Sequence, residues 1–106
     1  MQKLFISFLL FVAALTATAQ PKREFRGAWI QCVNGQYLGK TPQQLRSMLS
    51  EQLDVLHGAG INAILFQVRA EGDALYRSDL EPWSRYLTGT QGKAPDDGWD
   101  PLAWMV

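Results

Sequence analysis

The sequence holds one cysteine, Cys32, and one histidine, His57, and its ten basic and ten acidic side chains cancel. A single cysteine excludes an internal disulfide and any paired-cysteine zinc motif, so stability must come from a packed core in which Cys32 is a small apolar residue. The charge balance excludes a highly basic nucleic-acid binder and a disordered acidic tail, and no nucleic-acid partner is expected. There is no GxSxG elbow and no phosphate-binding GxxxxGK(S/T) loop. Gly58-Ala59-Gly60 approaches a dinucleotide fingerprint, but it closes a helix and leads into a strand, and the third glycine is missing. No cofactor and no resident metal are therefore expected. No apolar run reaches the ~20 residues that span a bilayer.

What is present begins with an address. Lys3 supplies one positive charge, Leu4 to Leu15 is an almost unbroken apolar run, and Ala17-Thr18-Ala19 has the small-x-small pattern of a cleavage point. This is the layout of a secretory signal peptide of the Sec type over residues 1–19, which places the mature protein outside the cytoplasm: secreted, periplasmic or in the cell envelope. No cysteine follows the small residues, so a lipoprotein anchor has no acceptor thiol. Cleavage after Ala19 leaves 87 of the 106 residues, with no transmembrane segment and nine basic against ten acidic side chains. Residues 20–24 form a short leader.

The middle reads as strand, helix, strand. Phe25 to Val33 is mostly apolar, with β-branched and aromatic residues that suit a buried strand. Thr41 to His57 is the best helix: Thr41 caps it, Pro42 takes the first helical position, and Gln44 completes a capping box. Leu45, Met48, Leu49, Leu53 and Leu56 form one apolar stripe. Gly58 is placed to end the helix in the left-handed conformation, and His57 sits where the helix dipole favours a cation. Ile61 to Val68 is a second strand; its continuous apolar core, Ala63 to Phe66, predicts burial on both faces, as in a parallel sheet. Together these are a βαβ unit. Asp100 and Pro101 open a further helix that runs to the end of the chain with Leu102, Trp104, Met105 and Val106 uncovered, which reads as a cut through a longer α/β domain.

Between them, Ala70 to Trp99 is loop-like, rich in glycine, acidic residues and aromatics (Tyr76, Trp83, Tyr86, Trp99). An ordered loop over the end of the sheet is expected. Parallel strands end on one side, where α/β proteins bind ligands. Gln67, Arg69, Glu71 and Asp73 follow the second strand, and alternation would aim 67, 69 and 71 the same way while the strand continues. Glu71 and Asp73 are candidates for a general acid–base pair of the kind glycosidic cleavage needs. The competing readings are a structural ion pair of Arg69 with Glu71 or Asp73, and a hard cation held by Glu71, Asp73, Asp79 and Glu81, although the spacing is not that of an EF-hand. Trp29 and Trp83 are candidates for lining a sugar groove by stacking.

Three separated segments, FRGAWI (25–30), GINAILFQVR (60–69) and EGDALY (71–76), followed by SDLEPWSRYLTGTQGKAPDDGWDPL (78–102), resemble the glycosyl-hydrolase-like family 10 domain, a bacterial family first catalogued as a domain of unknown function. The resemblance runs from Phe25 to the end. It implies a (β/α)₈ TIM barrel, incomplete in this chain, that hydrolyses cell-wall or other complex glycans in the bacterial envelope. By the same analogy Gln67, Arg69, Glu71 and Asp73 line the sugar cleft, and some catalytic acids come from later strands. Since a barrel needs about 250 residues, the segment is expected to be inactive alone and, with two open strand edges, poorly packed. The reading from another functional class is a barrel that binds glycan without cutting it, or an envelope scaffold. Nothing in the sequence decides the oligomeric state.

Overall fold

A computed structural model describes residues 1–16 and 23–106. The expected signal-cleavage site at Ala17 to Ala19 lies outside the described residues. Helix α1, Gln2–Thr16, carries the whole of the apolar run; Leu4, Phe5, Ile6, Phe8, Leu9, Leu10 and Phe11 all stand exposed on it. Among the described residues, no helix is long and apolar enough to cross a membrane.

The expected strand–helix–strand order is present. Strand β1 (Gly27–Ile30) pairs in parallel with β2 (Ala63–Phe66), in the register Gly27 with Ala63 through Ile30 with Phe66. Both are shorter than their apolar runs. Beyond Ile30 the ladder passes to a side chain: Gln67 N–H donates to the Ile30 carbonyl (2.9 Å), and Cys32 N–H donates to Gln67 Oε1 (3.0 Å). Among the described residues the sheet has two parallel strands, consistent with part of an α/β domain.

Helix α2, Pro42–Gly58, connects the strands. Its capping box is complete: Gln44 N–H donates to Thr41 Oγ1 (3.2 Å), and Thr41 N–H donates to Gln44 Oε1 (2.9 Å). Two of the orphan donors at a helix start are thereby satisfied. The other end corrects the sequence reading. Gly58 remains inside the helix, and the left-handed residue is Gly60, at φ +91°. Gly60 N–H donates to His57 O and Ile61 N–H to Leu56 O, both at 3.0 Å, the paired bonds of a Schellman cap. The chain needs two more residues than expected before it can turn toward β2.

Burial follows the α2 stripe. Leu45 and Leu49 are buried against Ile30 and Cys32, with Met48, Leu53, Leu56, Ile64 and Phe66 packed around them. The other face of the sheet is different: Trp29 and Leu65, paired across the strands, are exposed to 61% and 41%. Of the two covered faces that the apolar run predicts, the described residues supply one.

Residues 70–99 contain structure that the sequence does not announce. Ala74 bridges Trp83 in parallel. A short helix α3 (Arg85–Thr88) is capped by Ser84, and a 3₁₀ turn covers Asp96–Gly98. Leu75, Leu87 and Trp99 enter the same core as Leu45 and Leu49. The Trp99 ring meets Trp104 edge-on at 6.2 Å, and the Arg46 guanidinium lies 5.9 Å from its centroid. Helix α4 (Pro101–Met105) starts as the sequence predicts, with Asp100 Oδ1 accepting from Ala103 N–H (3.0 Å). The second oxygen of Asp100 accepts from Arg77 N–H (2.9 Å), which ties the helix start back to the loop.

Candidate functional site

The carboxyl ends of β1 and β2 lie side by side, and the chain after β2 folds over them. Its first turn is built by Asp73. This carboxylate is only 1% exposed, and its Oδ1 accepts from both Ala70 N–H and Glu71 N–H at 3.1 Å. Gly72 adopts φ +65°, and Leu75 N–H returns to the Val68 carbonyl (2.9 Å), closing the turn. Burial pushes the Asp73 carboxyl toward its neutral form. The Ser84 hydroxyl and the backbone N–H groups that point at it outweigh burial, and hold it below its ordinary range. Asp73 is thus an ionised, internally bonded anchor. Cys32 lies close enough for the two to interact: burial first, then the Asp73 charge, push its thiol up, so it is a protonated core residue.

The turn places the expected site residues differently from one another. Alternation stops at Phe66, so residues 67, 69 and 71 do not share one extended face. Gln67 is half-buried and caps the end of β1 through Cys32 N–H. Arg69 is exposed and donates from Nη2 to Glu81 Oε1 at 2.6 Å. Glu71 is exposed and pairs with Arg85. The expected ion pair of Arg69 with Glu71 or Asp73 is replaced by these two longer-range pairs, because the Asp73 turn swings Glu71 toward α3.

Glu71 is the most elaborately held of the exposed acids. Arg85 Nε donates to Glu71 Oε2 and Arg85 Nη2 to Glu71 Oε1, each at 3.0 Å. Tyr86 OH donates to Glu71 Oε1 at 2.9 Å, and Arg85 Nη2 also donates to Tyr86 OH at 3.0 Å. The Arg85 fork, then the Tyr86 hydroxyl, hold the Glu71 carboxyl below its ordinary range. The bond to the Glu71 carboxylate, then burial, push the Tyr86 phenol up against the opposing pull of the Arg85 charge. Sequence reasoning counts Tyr86 only among the aromatics of the loop, as a stacking ring and not as a partner of Glu71, and does not bring Arg85 to this site. Ser84 is the one local signal, as a cap before Arg85-Tyr86-Leu87; its Oγ accepts from Tyr86 N–H (3.2 Å) and fixes where both side chains start.

The aromatic candidates separate as well. Trp83 is half-buried against the core beside the Ala74 bridge. Trp29 is exposed, and it borders a groove of about 620 Å³ along β1 and α2 whose lining includes Asn34, Gln36, Glu51 and Gln52. Glu71, Asp73, Asp79 and Glu81 do not gather into a cation site; among the described residues no three metal-ligating side chains come together.

In chemical terms the rim above β2 offers two arginine–carboxylate pairs, a phenol and an amide. It is a polar, ionised, hydrogen-bonding surface carried by loops on a parallel α/β frame, which suits a polyhydroxylated ligand.

Comparison with known proteins places this frame. The chain is 38% identical to Glycosyl hydrolase YngK of Bacillus subtilis (strain 168) over 107 aligned positions, covering 97% of this chain and 21% of that protein. It is 33% identical over 101 positions to Glycosyl hydrolase DigH of Escherichia coli (strain K12), covering 84% of this chain and 22% of that protein, with the same figures for DigH of Shigella flexneri. The chain thus spans about a fifth of the length of the curated relatives it matches. Residues 24–106 match the family described as Glycosyl hydrolase-like 10, and the chain belongs to that family.

Proposed function

We propose that this chain is the opening β/α segment of a secreted glycoside hydrolase that acts on cell-wall or other complex glycans. In this reading β1 and β2 are the first strands of a (β/α)₈ barrel, and the loop after β2 forms one wall of its sugar cleft. The observation that carries the reading is the similarity to proteins named glycosyl hydrolases over nearly all of the chain. The polar rim at the carboxyl ends of parallel strands supports it, since barrel enzymes build their sites there.

Within the rim, the exposed Glu71 is the carboxylate that can meet a sugar; Arg69, paired with Glu81, adds a cation to the rim, and Trp29 offers a stacking surface in the separate groove along β1 and α2. Asp73, assigned with Glu71 to acid–base work on sequence grounds, acts on this reading by shaping the loop that presents Glu71. The remaining carboxylates of the reaction come from later strands, so residues 23–106 alone are inactive. The amino-terminal apolar helix directs export, and the glycan substrate is met outside the cytoplasm.

The test is release of new reducing ends from purified cell-wall glycan strands by the full-length gene product, measured beside glycan pull-down. The wild type is expected to bind and cleave, and Glu71→Gln to lose most turnover. Binding without turnover in the wild type would establish a glycan-binding barrel and sink the enzyme reading.

A further inference from the structure

The Glu71 cluster has a geometry that a chance surface ion pair lacks. An ionised carboxylate offers about four lone-pair positions. At Glu71 three are taken: Oε1 accepts from Arg85 Nη2 and from Tyr86 OH, and Oε2 accepts from Arg85 Nε. The guanidinium engages both oxygens in the fork arrangement, which fixes the plane of the carboxylate as well as its charge. Tyr86 is in turn fixed, because its oxygen accepts from Arg85 Nη2. Every donor in this set comes from two adjacent residues of α3.

The support beneath is buried. Ser84 and Asp73 are 0% and 1% exposed. Asp73 holds the Glu71 turn through the N–H groups of residues 70 and 71, and Ser84 holds the first turn of α3 through Tyr86 N–H. The two segments are bound to each other by the main chain: Ala74 N–H donates to Pro82 O, and Ser84 N–H donates to Ala74 O, both at 2.9 Å. The loop that carries the acid and the helix that carries its donors are therefore registered through the core, while the cluster itself faces solvent. An exposed ion pair contributes little to stability, so such a foundation is not explained by stability alone.

We infer that Arg85 and Tyr86 are positioning residues, which hold Glu71 as a fixed anion whose one open lone-pair position, on Oε2, accepts a single hydroxyl of the glycan. This deepens the proposed function and rests on it for the identity of the ligand. It excludes Glu71 from donating a proton to a leaving group, since a carboxylate held by a cation and a phenol donor resists protonation. The charged and titratable groups that face Glu71 are Arg85 and Tyr86 from α3 and Asp73 from its own loop. The first two favour the anion. Asp73 opposes it, weakly.

The experiment is a carboxyl-carbon NMR titration of the full-length gene product labelled at glutamate, with the Glu71 signal assigned by its loss in Glu71→Gln. The Glu71 midpoint is expected to rise in Tyr86→Phe, which removes one bond, and to rise further in Arg85→Gln, which removes two. Arg85→Lys, which keeps the charge but loses the fork, should fall between wild type and Arg85→Gln. Thermal midpoints should stay at the wild-type value in all three. An unchanged Glu71 midpoint in Arg85→Gln would overturn the inference, as would a thermal loss with no change in titration. Binding of uncrosslinked cell-wall glycan strands is measured on the same samples. If the titration order holds and no glycan binds, the holding of Glu71 stands and the sugar-cleft reading falls.

Discussion

Replacing Asp73 separates its two roles, as an acceptor and as a charge. Asp73→Ala removes the acceptor of two backbone N–H groups, those of Ala70 and Glu71, and the partner of the buried Ser84 hydroxyl. Each buried donor left without a partner costs about 1–3 kcal/mol. Water can enter the exposed side of the turn at residues 70 and 71 and replace part of what is lost there, whereas Ser84 is fully buried. The local cost is therefore about 2–4 kcal/mol. Asp73→Asn keeps the size and one carbonyl oxygen, and loses only the charge assistance of the bonds, about 1 kcal/mol. Hydrogen exchange resolved by peptide, at neutral pH on the full-length gene product, reads this locally. Over residues 69–86, exchange should quicken by about 30- to 1000-fold in the alanine variant and about 5-fold in the asparagine variant, at tenfold per 1.4 kcal/mol. The pH response carries the sign. The Asp73 carboxyl sits below its ordinary range when folded, so its contribution is complete above the unfolded value of 3.8 and is lost as pH falls through the folded one. The loop should hold through mild acid and loosen only below it, and Asp73→Asn should lack that acid transition. Alanine exchange rates equal to wild type over 69–86 would refute the anchor.

Two further perturbations test the frame and the core. Gly58→Ala, inside α2 with open space around it, should raise stability by about 0.5–1 kcal/mol, while Gly60→Ala, at φ +91°, should lower it by about 1 kcal/mol or more; urea or thermal melts distinguish the opposite signs. Cys32, fully buried and with its thiol pushed up by burial and by Asp73, should react with a thiol reagent only as fast as the domain opens, and faster in Asp73→Ala.

The parts of the fold that were legible in the sequence are those encoded by neighbours three or four residues apart. Thr41, Pro42 and Gln44 specify a helix start by chemistry that is complete within four residues, and the start is where they put it. Asp100 and Pro101 do the same for α4. The end of α2 was misplaced because two glycines compete. Gly58 ends the apolar stripe, but Leu56 is still needed against the core, and its carbonyl is capped by Ile61 N–H only if the left-handed residue falls at Gly60. Strand lengths were overestimated for a related reason. Apolar content continues to Val33 and Val68, but ladder pairing ends where Gln67 substitutes its side chain for a backbone carbonyl.

The site was legible only as far as the strand pattern reaches. Alternation predicts where side chains point while φ and ψ stay extended; past Phe66 the direction of Arg69 and Glu71 is decided by the Asp73 turn and by partners 12 and 14 residues away, Glu81 and Arg85. No periodicity joins positions at such separations inside a loop. They meet because Ala74 pairs with Trp83 and buries Ser84 against Asp73, and that pairing is a tertiary event. The two acids illustrate the consequence. Glu71 and Asp73 look equivalent in sequence, two carboxylates flanking a glycine; in the fold, one donor set is backbone and interior, and the other is a guanidinium and a phenol at the surface. Burial decides that Asp73 shapes the loop, and exposure leaves Glu71 as the group that a ligand can reach. A search for paired acids therefore does not distinguish the buried carboxylate from the exposed one, and the arginine and tyrosine that hold the exposed one are found only when the loop is folded.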